Sequence, residues 1–192
     1  SDRRWTAATE QTGDVTRLRP LAVIMDLDET VLDNSAFQGE LTKRRTIFNA
    51  ELWDEWVAKA QAAALPGAVD FIAYAESQGV STVLSVNPIT FTDRVIDQLL
   101  DSAPSQLFIS LDGHDDKSFF AIRGVEDAWE RSREKLFKYL ERKRERGVKT
   151  RIVVNMIDFK LNRNSIDQLK DYWEKVPGVD EFCAKSFGTW IG

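Results

Sequence analysis

The sequence predicts an α/β domain with three layers, in which a mostly parallel sheet lies between helices. Short apolar runs without polar alternation recur along the chain, and segments of helical periodicity separate them. Such runs suit strands buried on both faces, and strands that alternate with helices favour parallel pairing. The chain has 192 residues, 43% of them hydrophobic, which is enough for one domain with a sizeable core. We therefore expect a single domain over residues 1–192.

The composition excludes several classes of protein. Acidic residues number 31 and basic residues 26, giving a formal net charge of −5, whereas proteins that bind nucleic acid polymers carry a basic surface. The apolar runs fall far short of the roughly 20 residues that cross a bilayer, so we expect no transmembrane segment. The single cysteine, Cys183, can form neither an internal disulfide nor a zinc cage.

The first half of the chain contains two predicted strands and three predicted helices. A polar arm, residues 1–20, precedes the first strand at 21–25. A helix begins near Asn49, and Pro66 and Gly67 end it. The next helix ends at Gly79, the second strand covers 80–86, and a third helix covers about 92–100. The apolar face of the first helix consists of Leu52, Trp53, Trp56, Val57, Ala60 and Ala64.

The second half continues the alternation. A strand at 107–111 leads into a loop at 112–116, and a long helix then ends at Gly147 after a basic last turn. Its apolar stripe consists of Val125, Trp129, Leu136, Phe137 and Leu140. A fourth strand at 150–154, a helix at about 165–173 and an aromatic tail complete the chain.

The first strand ends on two carboxylates, Asp26 and Asp28. Ligands of parallel sheets bind at the carboxyl ends of the strands, so this edge is the place to expect a site. Two acids so close together repel each other and lose hydration, which a nearby Mg²⁺ would offset through its preference for oxygen ligands. If the pair is considered without its neighbours, the alternative to a metal site is a helix N-cap or an acidic turn.

The longer string around this pair, DLDETVLDNS over residues 26–35, resembles the first motif of the haloacid dehalogenase (HAD) superfamily. More narrowly, it is similar to the class C acid phosphatases, or 5′-nucleotidase lipoproteins, of subfamily IIIB. The resemblance continues in WDEWV at 53–57, ALPGAVDF at 64–71 and FGTW at 187–190. It implies a HAD-like fold with a small helical cap around residues 34–64. Members of that family are secreted, periplasmic or membrane-anchored, although no signal opens this chain, and both a monomer and a homodimer stay open.

The resemblance also implies a reaction. A Mg²⁺-dependent acid phosphatase of this family hydrolyses small phosphomonoesters, nucleoside monophosphates among them. Asp26 would be the nucleophile that forms an aspartyl-phosphate, and Asp28 would be the general acid and base. The Asp26 carboxylate, the backbone carbonyl of Asp28 and Asp158 would hold the metal, while Thr30 and Asn34 would support the loop.

The second and third motifs are harder to align. Family members carry Thr or Ser, then Asn and Arg, after the second strand, where this chain has SVNP at 85–88. Aligning Asn87 puts Val86 at the hydroxyl position, whereas using Ser85 needs a one-residue slip that turns a strand side chain to the other face. Lys117 corresponds to the phosphate-binding lysine, with a solvated loop lysine as the alternative. We expect His114, the single histidine, on the surface.

The fourth motif is incomplete. The family pattern is Gly-Asp-Asn, two residues, then Asp-Phe, and this chain matches it at Asn155, Asp158 and Phe159 but has Val153 and Val154 in the first two positions. Valine cannot coordinate a cation, so a metal ligand of the family is missing. A second hypothesis follows, in which the chain is a catalytically impaired HAD-fold protein that serves as a binding or structural module.

Three aromatic residues are candidates for stacking on a nucleobase, because ring stacking suits any flat base. They are Phe37, Trp56 and Phe187. The helical spacing of Trp56 favours a position in the core instead, and for Phe187 both roles stay open.

Overall fold

The computed structural model describes residues 22–26, 30–59 and 62–186. Five parallel strands form one sheet in the order β1-β4-β5-β6-β7, and two short strands, β2 and β3, pair antiparallel beside it. The predicted α/β class with a parallel sheet is confirmed. The strands are β1 Ala22–Asp26, β2 Leu32–Asp33, β3 Ala63–Ala64, β4 Ser81–Val86, β5 Gln106–Ser110, β6 Arg151–Asp158 and β7 Glu181–Ser186.

Seven α-helices connect these strands. They are α1 Ser35–Lys43, α2 Ala50–Lys59, α3 Ala68–Ser77, α4 Asp93–Ser102, α5 Asp116–Arg123, α6 Ala128–Glu145 and α7 Ile166–Trp173. Gly79 and Gly147, the predicted stops, both have positive φ angles, which glycine adopts without strain. Within the described ranges, no helix combines the length and the apolar character needed to cross a membrane.

The main core lies on one face of the sheet. Leu84, Leu107 and Ile152 are paired across β4, β5 and β6, and all three are fully buried. They belong to one apolar cluster with residues of α4, α6 and α7, such as Leu99, Leu136 and Trp173. We call this side of the sheet the helix face.

Residues of opposite parity along the strands form the other side, which we call the polar face. Its members include Asp26, Ser85, Phe108, Ser110, Asn155 and Lys185. Because the strand order runs in one direction, right-handed connections place successive helices on the same side of the sheet. The described helices α3, α4, α6 and α7 accordingly form one row.

The expectation that the first strand is buried on both faces is wrong. Ile24, in the middle of β1, is 79% exposed, and Ala22 and Asp26, whose side chains lie on the same face of the strand, are exposed as well. The segment 63–64, predicted as the end of a helix, forms β3 instead, which pairs with residues 32–33.

Three further boundaries differ in the second half. β6 runs to Asp158 rather than to 154, so the fourth motif lies within a strand. Residues 181–186, predicted as part of a tail, form β7. The long helix is divided at Gly124, whose φ of 72° ends α5, and Val125 therefore precedes α6.

Glu76 joins the start of β4 to the start of β5 through hydrogen bonds, and we expect its replacement to cause a pH-dependent loss of stability. Its carboxylate accepts hydrogen bonds from the backbone N–H and hydroxyl groups of Thr82 and Ser105, at 2.6–2.8 Å. Burial raises the pKa of Glu76, but these four hydrogen bonds outweigh burial and lower it overall. Since the folded pKa lies below the unfolded one, the stabilisation is present above the ordinary pKa and disappears as the pH falls through the folded value.

We therefore expect Glu76→Gln to lower the free energy of unfolding by about 1 kcal/mol at pH 7. Urea unfolding at several pH values should show this difference shrinking as the pH falls below about 4.5. Glu126→Gln, at an exposed turn position, is the control. A difference between wild type and Glu76→Gln that stays constant with pH would contradict the assignment.

Candidate functional site

The sheet register places Ser85 directly beside Asp26. Asp26 is the last residue of β1, it is exposed, and its partner across the β1–β4 ladder is Ser85, one strand spacing of about 4.8 Å away. Ser85 is half-buried, whereas Val86 is 2% exposed and belongs to the core on the helix face. Of the two alignments, the one that uses Ser85 therefore puts a hydroxyl next to the acid.

Asn87 shapes the backbone after β4. Its Oδ1 accepts a hydrogen bond from the backbone N–H of Ile89 at 3.1 Å, and its carbonyl accepts from the Thr90 hydroxyl at 2.8 Å. These bonds hold the short 3₁₀ turn Pro88–Thr90, in which Pro88 is buried. Asn87 is thus close to the edge where Asp26 lies, but the contacts of its carboxamide oxygen are with its own loop.

Asp112, after β5, is a buried carboxylate that joins three elements. It is 2% exposed, and its Oδ1 accepts from the backbone N–H of Ile157 in β6 at 2.8 Å. Its Oδ2 accepts from Nε of Arg123, at the end of α5, at 2.7 Å. Sequence reasoning placed Asp112 only in a loop. The structure shows that it fixes the position of that loop relative to β6.

Lys117 and His114 lie on the same loop and helix start. Asp115 caps α5, accepting from the backbone N–H of Ser118 at 2.7 Å. The hydrogen bonds of Ser118 lower the pKa of Asp115, and the charges of His114 and Lys117 add to this effect. Lys117 is exposed in the first turn of α5, and its side chain forms no ion pair within 4 Å of a described residue. His114 is half-buried rather than fully on the surface, with Nε2 3.8 Å from Asp115 Oδ2.

The structure does not bring Asp158 to Asp26. β4 and β5 separate β6 from β1, so the two strands are three spacings, or about 14 Å, apart. Asp158 instead accepts two hydrogen bonds from Nε of Arg163, at 2.9 and 3.3 Å. The physical reason is the strand order, which pairs β6 with β5 and β7. Among the described residues no group of three or more His, Cys, Asp or Glu side chains could hold a metal ion.

Several other predicted positions have structural roles or lie outside the described ranges. Val154 is fully buried on the helix face, and Thr30 is exposed. The predictions for Asp28 and Phe187 fall on residues outside the described ranges.

The aromatic residues of α1 and α2 form a separate small core. Phe37 and Trp56 are 3% and 9% exposed and pack with Leu41. Nε1 of Trp56 also donates to Oδ1 of the buried Asn34 at 3.0 Å. The core interpretation of Trp56 is confirmed, and the burial of Phe37 leaves it little ring surface for stacking on a base.

A polar cluster that the sequence did not predict lies on the polar face of β5, β6 and β7. The neighbours of Asn155, which is 6% exposed, assign the orientation of its carboxamide: Nδ2 then donates to the carbonyl of Ile109 and the hydroxyl of Ser110, both at 3.2 Å, and Oδ1 accepts from Nζ of Lys185 at 2.9 Å. Nζ of Lys185 also lies 4.6 Å from the centre of the Phe108 ring. Lys185 was missed because β7 was not predicted. The signal available in the sequence was Lys185 itself, a basic residue close to the aromatic Phe182.

A known protein family matches the first part of this chain. Residues 4–87 match the model of the HAD superfamily, subfamily IIIB (acid phosphatase). The predicted HAD resemblance is confirmed. The HAD match contains both Asp26 and Ser85 and ends at Asn87. It therefore includes the first two motif positions and stops before the segments where the third and fourth motifs were sought.

The solved structures that this chain matches include a class C acid phosphatase from Bacillus anthracis. It is 24% identical with a TM-score of 0.36, and a structure of the class C acid phosphatase of that organism with tungstate bound is 22% identical with a TM-score of 0.32. Each match covers 87% of this chain and 66% of the other. The chain thus spans slightly less than two thirds of the length of these class C acid phosphatases.

Proposed function

We propose that this chain is an acid phosphatase that hydrolyses small phosphomonoesters, with nucleoside monophosphates as the expected substrates. The observation that carries the proposal is the pairing of Asp26 with Ser85 at the carboxyl end of the sheet. Both residues lie in the part of the chain that matches the acid phosphatase subfamily. An exposed carboxylate beside a hydroxyl provides a nucleophile and a hydrogen-bond donor for the same phosphoryl group.

The proposed reaction has two steps. The Asp26 carboxylate attacks phosphorus and forms an aspartyl-phosphate while the bond from phosphorus to the ester oxygen breaks. Asp28 gives a proton to the leaving oxygen and later removes one from the water that hydrolyses the intermediate. The Ser85 hydroxyl donates to a phosphoryl oxygen in both steps, where negative charge accumulates.

A magnesium ion at this edge would have fewer protein ligands than the family resemblance implies. Asp26 and the backbone carbonyl of Asp28 would supply two oxygen ligands, and Mg²⁺ commonly keeps several waters. Asp158 is excluded from this set because it lies on a strand three places away and is paired with Arg163. When bound, the metal would neutralise charge on the nucleophile and the phosphate.

The test compares Ser85→Ala with Ser81→Ala. Ser81 lies on the same face of the same strand, four residues earlier and at the amino end of the strand, which makes it a matched control. Hydrolysis of p-nitrophenyl phosphate and of nucleoside monophosphates in the presence of Mg²⁺ is measured. We expect Ser85→Ala to lower kcat/KM by about 10- to 100-fold, the effect of losing one hydrogen bond to a charged group, and Ser81→Ala to leave it unchanged. Equal losses in both variants would contradict the role of Ser85.

A second candidate function is supported by the surroundings of the fourth motif. Val154 is buried in the core and the carboxylate of Asp158 is engaged with Arg163, so neither provides a metal ligand beside Asp26. These observations favour a HAD-fold protein that binds a phosphorylated ligand without turning it over. Wild-type protein that binds inorganic phosphate but hydrolyses none of the esters would support this function and contradict the first.

A further inference from the structure

Lys185 is a cation on the polar face whose described partners are neutral. Its Nζ contacts the Asn155 carboxamide oxygen at 2.9 Å and lies 4.6 Å from the centre of the Phe108 ring. No carboxylate of a described residue lies within ion-pair distance of it, although the chain carries a net charge of −5. An ammonium group has three N–H donors, and Asn155 accepts only one of them. Among the described residues, therefore, nothing takes up the other N–H donors of Lys185 or balances its charge.

The Lys185 side chain points towards the centre of the sheet. Lys185 begins on β7, next to β6, and its ammonium reaches across β6 to lie over Phe108 on β5. The hydrogen bond that Nζ donates to the oxygen of the buried Asn155, which is itself fixed by bonds to Ile109 and Ser110, holds the ammonium in that place. Asn155 is buried and fixed by these contacts, so it gives the exposed Lys185 side chain one defined partner.

Phe108, the residue beneath this ammonium, lies in a row of paired strand residues that also contains Asp26. The register pairs Phe108 with Ser85, and Ser85 with Asp26, on three consecutive strands. Phe108 is thus two spacings, about 9.6 Å, from Asp26 along the row. A phosphoryl group over Ser85 would have the Asp26 carboxylate on one side and the Lys185 ammonium on the other.

We propose that Lys185 binds the phosphoryl oxyanion of the substrate on the polar face, in the role that sequence reasoning gave to Lys117. Lys117 is exposed in the first turn of α5, where its charge acts on Asp115 instead. Lys185 supplies a positive charge that offsets the repulsion between Asp26 and a dianionic phosphate. This inference rests on the proposed phosphatase function for its link to Asp26, but the anion site itself is testable without turnover.

The experiment measures binding of inorganic phosphate by isothermal titration calorimetry to wild type, Lys185→Met and Lys117→Met. We expect Lys185→Met to raise the dissociation constant at least tenfold and Lys117→Met to leave it unchanged. Lys185→Arg, which keeps the charge, should restore part of the affinity. Thermal unfolding of each variant identifies any loss that comes from misfolding. Asn155→Ala should also weaken binding, since the ammonium then loses its anchor.

The outcomes separate this inference from the proposed function. Weaker phosphate binding in Lys185→Met without any ester hydrolysis by wild type would support the anion site and overturn the phosphatase proposal. Hydrolysis by wild type, together with lost binding in Lys117→Met but not in Lys185→Met, would overturn the inference alone. In an active enzyme, Lys185→Met should raise KM more than it lowers kcat, because the contact is made in the bound ground state. Absence of phosphate binding to the wild type would also overturn the inference.

Discussion

Replacing Asp26 by Asn is expected to lower kcat/KM for a phosphomonoester by about 10⁴-fold or more, because losing a covalent nucleophile removes the chemical step itself. Asn has nearly the same shape as Asp but cannot attack phosphorus. Asp26 is exposed at the end of an edge strand, so the substitution should leave the core unchanged. The measurement is initial-rate hydrolysis of p-nitrophenyl phosphate with Mg²⁺.

Asp70→Asn provides the matched control for this loss. Asp70 is exposed in the first turn of α3 and lies within the part of the chain that matches the acid phosphatase subfamily. It should retain wild-type turnover. Rapid-quench experiments with ³²P-labelled substrate should detect labelled protein in wild type and none in Asp26→Asn. Comparable turnover of Asp26→Asn and wild type would eliminate the proposed nucleophile.

Replacing Asp112 by Ala is expected to give the largest loss of stability among these substitutions, about 3 kcal/mol. The carboxylate is 2% exposed and receives hydrogen bonds from Ile157 in β6 and from Arg123. Its removal leaves the Ile157 N–H without a partner and breaks the ion pair that holds the end of α5. Urea unfolding at pH 7, followed by circular dichroism, measures the change.

Two variants make this expectation specific. Asp112→Asn keeps an acceptor oxygen and should lose only about half as much stability. Asp171→Ala removes the partner of Lys175 at a fully solvated position of α7, where an ion pair contributes about 0–1 kcal/mol. A loss below 1 kcal/mol in Asp112→Ala would show that the buried carboxylate does not hold β5, β6 and α5 together.

The fold class could be predicted because its signals are local. The strands near 80–86 and 107–111 are short segments rich in apolar residues, and each agrees with the structure to within one residue at either end. β7 was not predicted because a single side chain, Phe182, is buried in it and the rest is polar or exposed. The sheet order could not be predicted either, since it depends on which strand edges meet and no local pattern encodes that choice.

The candidate site likewise combines residues that local motifs predict with contacts that depend on the fold. Asp26 and Ser85 were candidates because each lies in a short motif at a strand end, and the register places Ser85 rather than Val86 beside Asp26. The pairing of Asp158 with Arg163 and the contact of Lys185 with Asn155 depend on side-chain directions and on strand neighbours. Asp158 and Arg163 are five residues apart across a turn, and Lys185 and Asn155 are 30 apart, so neither contact follows a helix or strand period that the sequence could reveal.

The position of β1 at the sheet edge has a consequence for assembly during synthesis. From β4 onwards each strand pairs with the next one along the chain, so this part of the sheet can grow by one strand and its helix at a time as the ribosome delivers them. β1 is made first but must wait for more than fifty further residues before its partner β4 emerges. The acid-bearing strand can therefore dock only after α1, α2 and α3 have been made, whereas β5, β6 and β7 each find their partner strand already made.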